Sequence, residues 1–259
     1  MARIATVNYH VRSSARPAYQ IDAGGVVGKL VSPEHAETTV EVKDVRNGET
    51  AVSFSDDAVM FERLPTGVAS FDDDNDWKGT YDRELASLLK AKVGAREVLV
   101  FDHTIREDAQ SSSRRPARNV HTDYSPEGAR QRLTDLLGET RAAEWARGHY
   151  AFINLWRPIG NPVNSAPLGF VRPSSVSPDD WVPIDLVYPD RMGRIMGLFA
   201  NDRHEWIYCS RMSPDELAWF NIFDNRGLPS IAHSALNLVE DDRVHDIRRS
   251  IESRTLVRY

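Results

Sequence analysis

Cysteine is nearly absent from this 259-residue chain, which carries one, Cys209. A single thiol excludes an internal disulfide framework and a cysteine-built zinc site. In the strand-like HEWIYCS it reads as a small core residue. Long apolar runs are missing as well, and no stretch is long enough to span a bilayer. The opening MARIATVNYHV lacks the continuous apolar segment of a secretion signal. There is no surplus of positive charge, because 32 basic residues face 38 acidic ones for a net charge of −6. Neither nucleic acid nor an anionic membrane is therefore an expected partner. Repeats and low-complexity tracts are also lacking. A soluble cytoplasmic protein is expected, built as one long domain over residues 1–259.

What is present is mostly short and extended. Residues 1–95 read as a strand-rich accessory part plus a helix. Its pieces are Ile4–Val11, Val26–Val31, Thr38–Val45, Glu49–Phe54 and Ala58–Arg63, and Asn47-Gly48 gives a hairpin signal between two of them. AGGVVG at Ala23–Gly28 lacks the full spacing of a nucleotide loop and reads as a turn. Asp72-Asp73-Asp74-Asn75-Asp76 lacks the glycine and closing glutamate of a calcium loop and reads as a solvated acidic loop. Thr80–Lys92 has helical spacing, with Gly94 as its stop.

Residues 96–259 read as the core. Glu97–Phe101 forms a compact strand. The polar loop Ser111-Ser112-Ser113-Arg114-Arg115-Pro116 follows, in a position suited to a lid. Ser125 caps a helix that opens with Pro126 and turns Leu133, Leu136 and Leu137 inward. HYAFINLWRPI, PLGFVRP, WVPIDLVY, RIMGLFA and EWIYCS then return to strands. Ser213-Pro214-Asp215-Glu216 has the form of a capping box and predicts a short helix through about Phe220. Ser230–Leu238 and Arg248–Tyr259 read as closing strands. Many short strands with few helices predict a mainly β sandwich or barrel with flanking helices.

The chemistry concentrates at NVHTDYSPEGARQRL, where His121 and Asp123 stand two residues apart ahead of a helix start. Residues i and i+2 of an extended strand face the same way. His121 and Asp123 can thus present one nitrogen and one oxygen to a common point. One more histidine would complete the two-histidine, one-carboxylate facial triad of non-haem Fe(II) oxygenases. Of the eight histidines, His10, His35 and His245 lie among polar residues and read as surface side chains. His103 and His149 read as hydrogen-bonded structural groups, and His204 sits in a turn. His233 differs, flanked by small and apolar residues in PSIAHSALNL. A lone histidine on an apolar strand is more often a satisfied core residue than a ligand. Paired with His121-x-Asp123, the balance shifts to a ligand.

Arg248, Ser250, Glu252 and Arg254 share one face of the last strand. A guanidinium fork with a hydroxyl two positions on makes a clamp for a carboxylate. The plainer explanation is an edge strand protected by charge. Fifteen residues beyond His233, Arg248 and Ser250 point to a dicarboxylate cosubstrate with one end on the metal.

HTDYSPEGARQRL, HYAFINLWRPIGNPVNSAPLGF, HEWIYCSRMSPDELAWFNIFD, IAHSAL and RRSIESRTLV occur in an order that resembles one family. It is the hydroxylase/desaturase family named for an aspergillic-acid-cluster enzyme, which includes the cephamycin methoxylation component and the novofumigatonin endoperoxidase. REVLVFDHTIRE extends the resemblance over most of the chain. The resemblance implies a double-stranded β-helix (jelly-roll, cupin-like) enzyme that uses Fe(II), 2-oxoglutarate and O2 to oxidise small-molecule natural-product intermediates. It implies His121, Asp123 and His233 as metal ligands and Arg248 and Ser250 as the cosubstrate clamp, with Arg249 and Arg254 as competitors. Asn154 and Trp156 share a strand face and are candidate pocket residues, together with Arg157 and Tyr208. A homodimer stays open. So do two other classes: a cupin-type metal-dependent isomerase or hydrolase, and a non-catalytic jelly-roll ligand-binding protein.

Overall fold

Strand after strand in this chain is buried on both faces, so the architecture stacks layers on either side of a central sheet. A computed structural model describes residues 2–25, 29–46, 48, 50–72 and 76–259. In the first part run β1 (Arg3–His10), β2 (Ala18–Ile21), β3 (Leu30–Val31), β4 (His35–Asp44) and β5 (Val59–Arg63). The short helix α1 (Phe54–Asp57) precedes β5, and α2 (Lys78–Val93) follows it. Next come β6 (Glu97–Glu107), β7 (His121–Thr122), α3 (Pro126–Arg147), β8 (Tyr150–Pro158) and β9 (Leu168–Val171). The chain continues with β10 (Trp181–Val187), β11 (Met192–Leu198) and β12 (Trp206–Tyr208). It closes with β13 (Glu216–Asp224), β14 (Ala232–Ala235) and β15 (Arg249–Arg258).

These strands form two mostly antiparallel sheets, as expected of a jelly roll. One holds ten strands in the order β1-β4-β12-β9-β14-β7-β11-β10-β2-β3, the other five in the order β5-β13-β8-β15-β6. Strands from residues 1–95 thus pair within both sheets. Between the sheets lies a core that includes Phe152, Trp156, Phe170, Ile207, Phe220 and Leu256. Behind the smaller sheet, α2 lays Tyr81, Leu85, Leu88 and Leu89 on Ile153, Leu155, Trp219 and Val257. Its end is a left-handed Gly94 (φ 71°). A third core, with Val7, Tyr9, Val42, Trp206, Tyr208 and Leu236, fills the space where the larger sheet curls its own edge strands β1 and β4 back over its middle.

Several expectations need correction. The predicted helix from Ser213 is instead the start of β13. Its local signal is real, since the Ser213 amide donates to the Glu216 carboxylate at 2.8 Å, but it makes only a turn. Leu217 and Trp219 pack on one core while Ala218, Phe220 and Ile222 pack on another, and only a strand sends successive residues to opposite faces. In the predicted strand Glu49–Phe54, Glu49 lies outside the described residues and Ser53 caps α1, accepting from the Asp56 amide. Asn47 of the hairpin signal is also outside them, and among the described residues no strand follows Gly48 until β5. Residues 26–28 and 73–75 are outside them too, which leaves Lys29 and the strand Leu30–Val31 of the expected Val26–Val31, and Asp72 and Asp76 of the acidic loop. His10 is buried rather than a surface residue, at 3% exposure. β6 runs to Glu107, six residues beyond the expected end, so His103 lies inside it and bonds Asp82 and Ser253, each at 2.8 Å.

Candidate metal centre

β7 is two residues long, yet it fixes the site. Its His121 stands opposite His233 of β14 on one side and Gly197 of β11 on the other. Directly paired residues of antiparallel strands show their side chains on one face, and the two imidazole centroids lie 4.6 Å apart. Asp123 follows immediately, held between the strand and the Ser125 cap of α3, whose hydroxyl accepts from the Gly128 amide at 3.0 Å. One donor atom from each of His121, Asp123 and His233 lies within 4.8 Å of the others. His121 Nε2 is 3.6 Å from Asp123 Oδ1.

Each group is oriented by its other polar atom. His121 Nδ1 donates to the Asn119 carbonyl at 2.8 Å and His233 Nδ1 to the Ile231 carbonyl at 3.4 Å, which leaves both Nε2 lone pairs free. Burial, aided by the charge of His121, drives the His233 pKa down to about 3, so the imidazole is neutral. Burial pushes the Asp123 carboxyl up, but the charge of the adjoining Arg254 guanidinium outweighs it and holds the pKa well below the usual range. Asp123 Oδ2 accepts from Asn154 at 2.8 Å and from Arg254 Nε at 2.9 Å, leaving Oδ1 toward the histidines. Two imidazole nitrogens and one anionic oxygen, all braced from behind, fit a divalent first-row transition metal.

Arg248, immediately before β15, and Ser250, Glu252 and Arg254 on the inner face of that strand run past this centre. Arg254 is not a free clamp: it bonds Asp123, Asp102 at 2.7 Å and Glu252 at 2.6 Å. Arg249 points outward to Asp72 at 2.7 Å and Glu107 at 2.9 Å. Arg248 is buried, lies over the Trp156 ring at 5.1 Å, donates to the Ala166 carbonyl and sits 3.3 Å from Ser250 Oγ. Its Nε has no partner among the described residues. A narrow cavity of about 20 Å³ joins Arg248 to His121 and His233. On the other side, an open cleft of about 530 Å³ reaches Asp123 and Tyr124 between α3 and the β10–β11 hairpin.

Asn154 and Trp156 face this site, as expected. Arg157, one residue on, points the other way and bonds Tyr81 and the Pro214 carbonyl. Tyr208 lies in the core under β1 and β4 and lines neither cavity. Among the pocket residues that the sequence did not reveal, one is charged and borders the narrow cavity. Arg106 of β6 stands opposite Ser250 and lines the cavity with Arg248. Only the pairing register reveals it.

Comparison with known proteins agrees with this geometry. The profile described as "Oxidoreductase/YMDC permease-like domain" matches residues 7–258. The chain belongs to that family. Among curated relatives, the hydroxylase/desaturase efuI of Hormonema carpetanum is 27% identical, covering 90% of this chain and 87% of its own. The Fe(II)/2-oxoglutarate-dependent dioxygenase nvfI of Aspergillus novofumigatus is 28% identical, over 79% and 75% of the two chains. A solved structure of the iron and alpha-ketoglutarate-dependent endoperoxidase NvfI superposes with a TM-score of 0.85 at 23% identity. It covers 99% of this chain and 98% of the other. The jelly-roll fold and the resemblance read from the motifs are therefore both borne out.

Proposed function

We propose that the protein is an Fe(II)- and 2-oxoglutarate-dependent oxygenase that oxidises a C–H bond of a small natural-product intermediate. Hydroxylation, desaturation and endoperoxidation are the outcomes its relatives' names carry. Residues 1–259 act as one catalytic unit in this proposal. The observation that carries it is Arg248, a buried guanidinium without a carboxylate partner among the described residues, in the same cavity as two free imidazole nitrogens. A cation so placed asks for an anion that also reaches the metal.

His121, Asp123 and His233 would hold the iron, which supplies the coupling of O2 reduction to oxidative decarboxylation of the cosubstrate. Arg248 and Ser250 would bind the far carboxylate of 2-oxoglutarate. The cavity now has room for about one water, so entry of a five-carbon dicarboxylate requires Arg248 and its neighbours to swing aside. Asn154 and Arg254 hold Asp123 in place and keep it anionic. Trp156 and Phe220 exclude water from the histidine side, while the cleft at Asp123 and Tyr124 admits substrate from the opposite side. Binding in two compartments keeps the reacting C–H apart from the cosubstrate.

Anaerobic titration of Fe(II) into protein with 2-oxoglutarate should raise a weak visible charge-transfer band. Exposure to O2 should then release succinate. Turnover of a true substrate at equal rate without O2 would instead support a Lewis-acid isomerase or hydrolase. We further propose a cytoplasmic protein without a nucleic-acid partner, supported by the net charge of −6. A homodimer is proposed as well, for which exposed Ile4, Met192 and Ile247 offer apolar contact; sedimentation reads it directly.

A further inference from the structure

Arg254 has all three guanidinium nitrogens on carboxylates, Nε on Asp123, Nη1 on Asp102 and Nη2 on Glu252. Glu252 also accepts from Asn154 at 3.3 Å. Asp108, whose charge reaches Arg248, is itself engaged by Arg118 at 2.7 Å. Two guanidiniums of the cavity are then left without a carboxylate among the described residues. They are Arg248, on the Ala166 carbonyl and Ser250, and Arg106, on the Arg115 carbonyl at 2.9 Å.

The strand register brings them together. Arg106 is the cross-strand neighbour of Ser250, and Arg248 lies two residues before Ser250 on the same face. Burial lowers the pKa of both guanidiniums, that of Arg248 to about 9, and the charge of Arg106 adds to the effect at Arg248. Glu252 lines the same cavity and its charge favours both cations, but its carboxylate is bonded to Arg254. Two desolvated like charges remain without a directly bonded anion, an unfavourable arrangement unless one joins them. We propose that Arg106 is a second anion-binding residue of the cosubstrate pocket, sharing the far carboxylate with Arg248 so that the pocket takes a dicarboxylate even without metal. The proposal rests on the oxygenase assignment for the identity of the anion.

Glutarate lacks the 2-oxo group and so probes the carboxylate clamp alone. Titrated calorimetrically into chelator-treated, full-length protein, it should bind. Arg106→Gln and Arg248→Gln should each weaken it by roughly tenfold to a hundredfold, the range of a charge-assisted hydrogen bond. Arg106→Lys, which keeps the charge without the fork, should fall between parent and Arg106→Gln, and it serves as the test if the glutamine variant does not fold. Glutarate should also raise the parent's melting temperature more than that of Arg106→Gln, a difference that a merely structural role would not produce. Unchanged glutarate affinity in Arg106→Gln, or in both Arg106 variants, overturns the role of Arg106. Parent protein that binds 2-oxoglutarate with Mn(II) but no glutarate without metal overturns the metal-free site and leaves the oxygenase assignment standing. Failure to bind 2-oxoglutarate with Mn(II) removes that assignment itself.

Discussion

At the scale of single residues, the convergence of the proposed metal set was the most legible part of the chain. His121-x-Asp123 needs only the two-residue period of a strand to converge, and His233 stood out through its apolar neighbours. What holds the set was less visible. Asn154 was placed in the pocket, but its bond to Asp123 depends on β8 of the smaller sheet facing the end of β7 in the larger one. Because such bracing bonds orient metal ligands, Asn154→Ala should weaken Mn(II) binding by about 10- to 100-fold, measured by calorimetry. Unchanged affinity would mean that Arg254 alone fixes Asp123. His10 gives a second prediction. Burial, with the charges of His35 and His121, lowers its pKa to about 3, whereas an unfolded histidine titrates near about 6.5. Between those values the unfolded chain carries the extra proton. Stability is therefore complete above pH 6.5 and falls as pH drops through the window, by about 1.4 kcal/mol per unit for this one histidine. His233 adds a similar slope in metal-free protein. Denaturant unfolding at pH 6.5 and pH 5 should show a shallower loss for His10→Gln than for the parent. Equal slopes would mean that folded His10 takes up its proton.

At the scale of elements, residue patterns decided where no capping signal competed with them and misled where a buried strand began on one. α2 was read within about two residues at its start and one at its end, because its apolar positions repeat on a single face and Gly94 stops it. β13 was mistaken because its whole central run is buried and carries no period, so the turn chemistry of Ser213 and Glu216 dominated. The same blankness hid the phase of β12, which sends Tyr208 away from the site. α3 carries a contact no sequence signal announced. A Cβ on Gly128 would meet the Arg194 carbonyl oxygen at 2.5 Å, so the first turn of the helix rests directly on β11. Gly128→Ala must push helix and strand apart. Overpacking of that kind costs about 1–3 kcal/mol, offset by at most about 1 kcal/mol from the better helix propensity of alanine. The melting temperature should fall. A rise would show that the contact yields freely. Since the cleft runs between α3 and β11, the same change should disturb substrate-side binding more than metal binding.

At the scale of the whole molecule, the jelly roll was legible as a class, from short strands and scarce helices, but the pairing of its ends was not. Residues 1–95 read as an accessory part because strand pairing between distant segments leaves no local trace. In the structure β4 pairs in parallel with β12, and the first strand bridges to Asn119, Phe199 and Asn237, segments that adjoin β7, β11 and β14. Val7, Tyr9 and Val42 cover Trp206, Tyr208, Val171 and Ala232. β14 holds His233, so the core laid down by the first 45 residues backs the strand that carries a proposed metal ligand. β5 from the same part closes the edge of the other sheet beside β13. A chain beginning at residue 96 would uncover both. It would expose the backbone edge of β12 and a set of large aromatics, a template for aggregation rather than a smaller enzyme. Expressed alone, residues 96–259 should be insoluble or lack near-ultraviolet circular dichroism, and should not bind Mn(II). A soluble fragment that binds Mn(II) as tightly as the full chain would show that the metal strands are stable without their N-terminal cover. The dependence runs through packing, so supplying residues 1–95 as a separate chain should restore folding only where the two parts are refolded together.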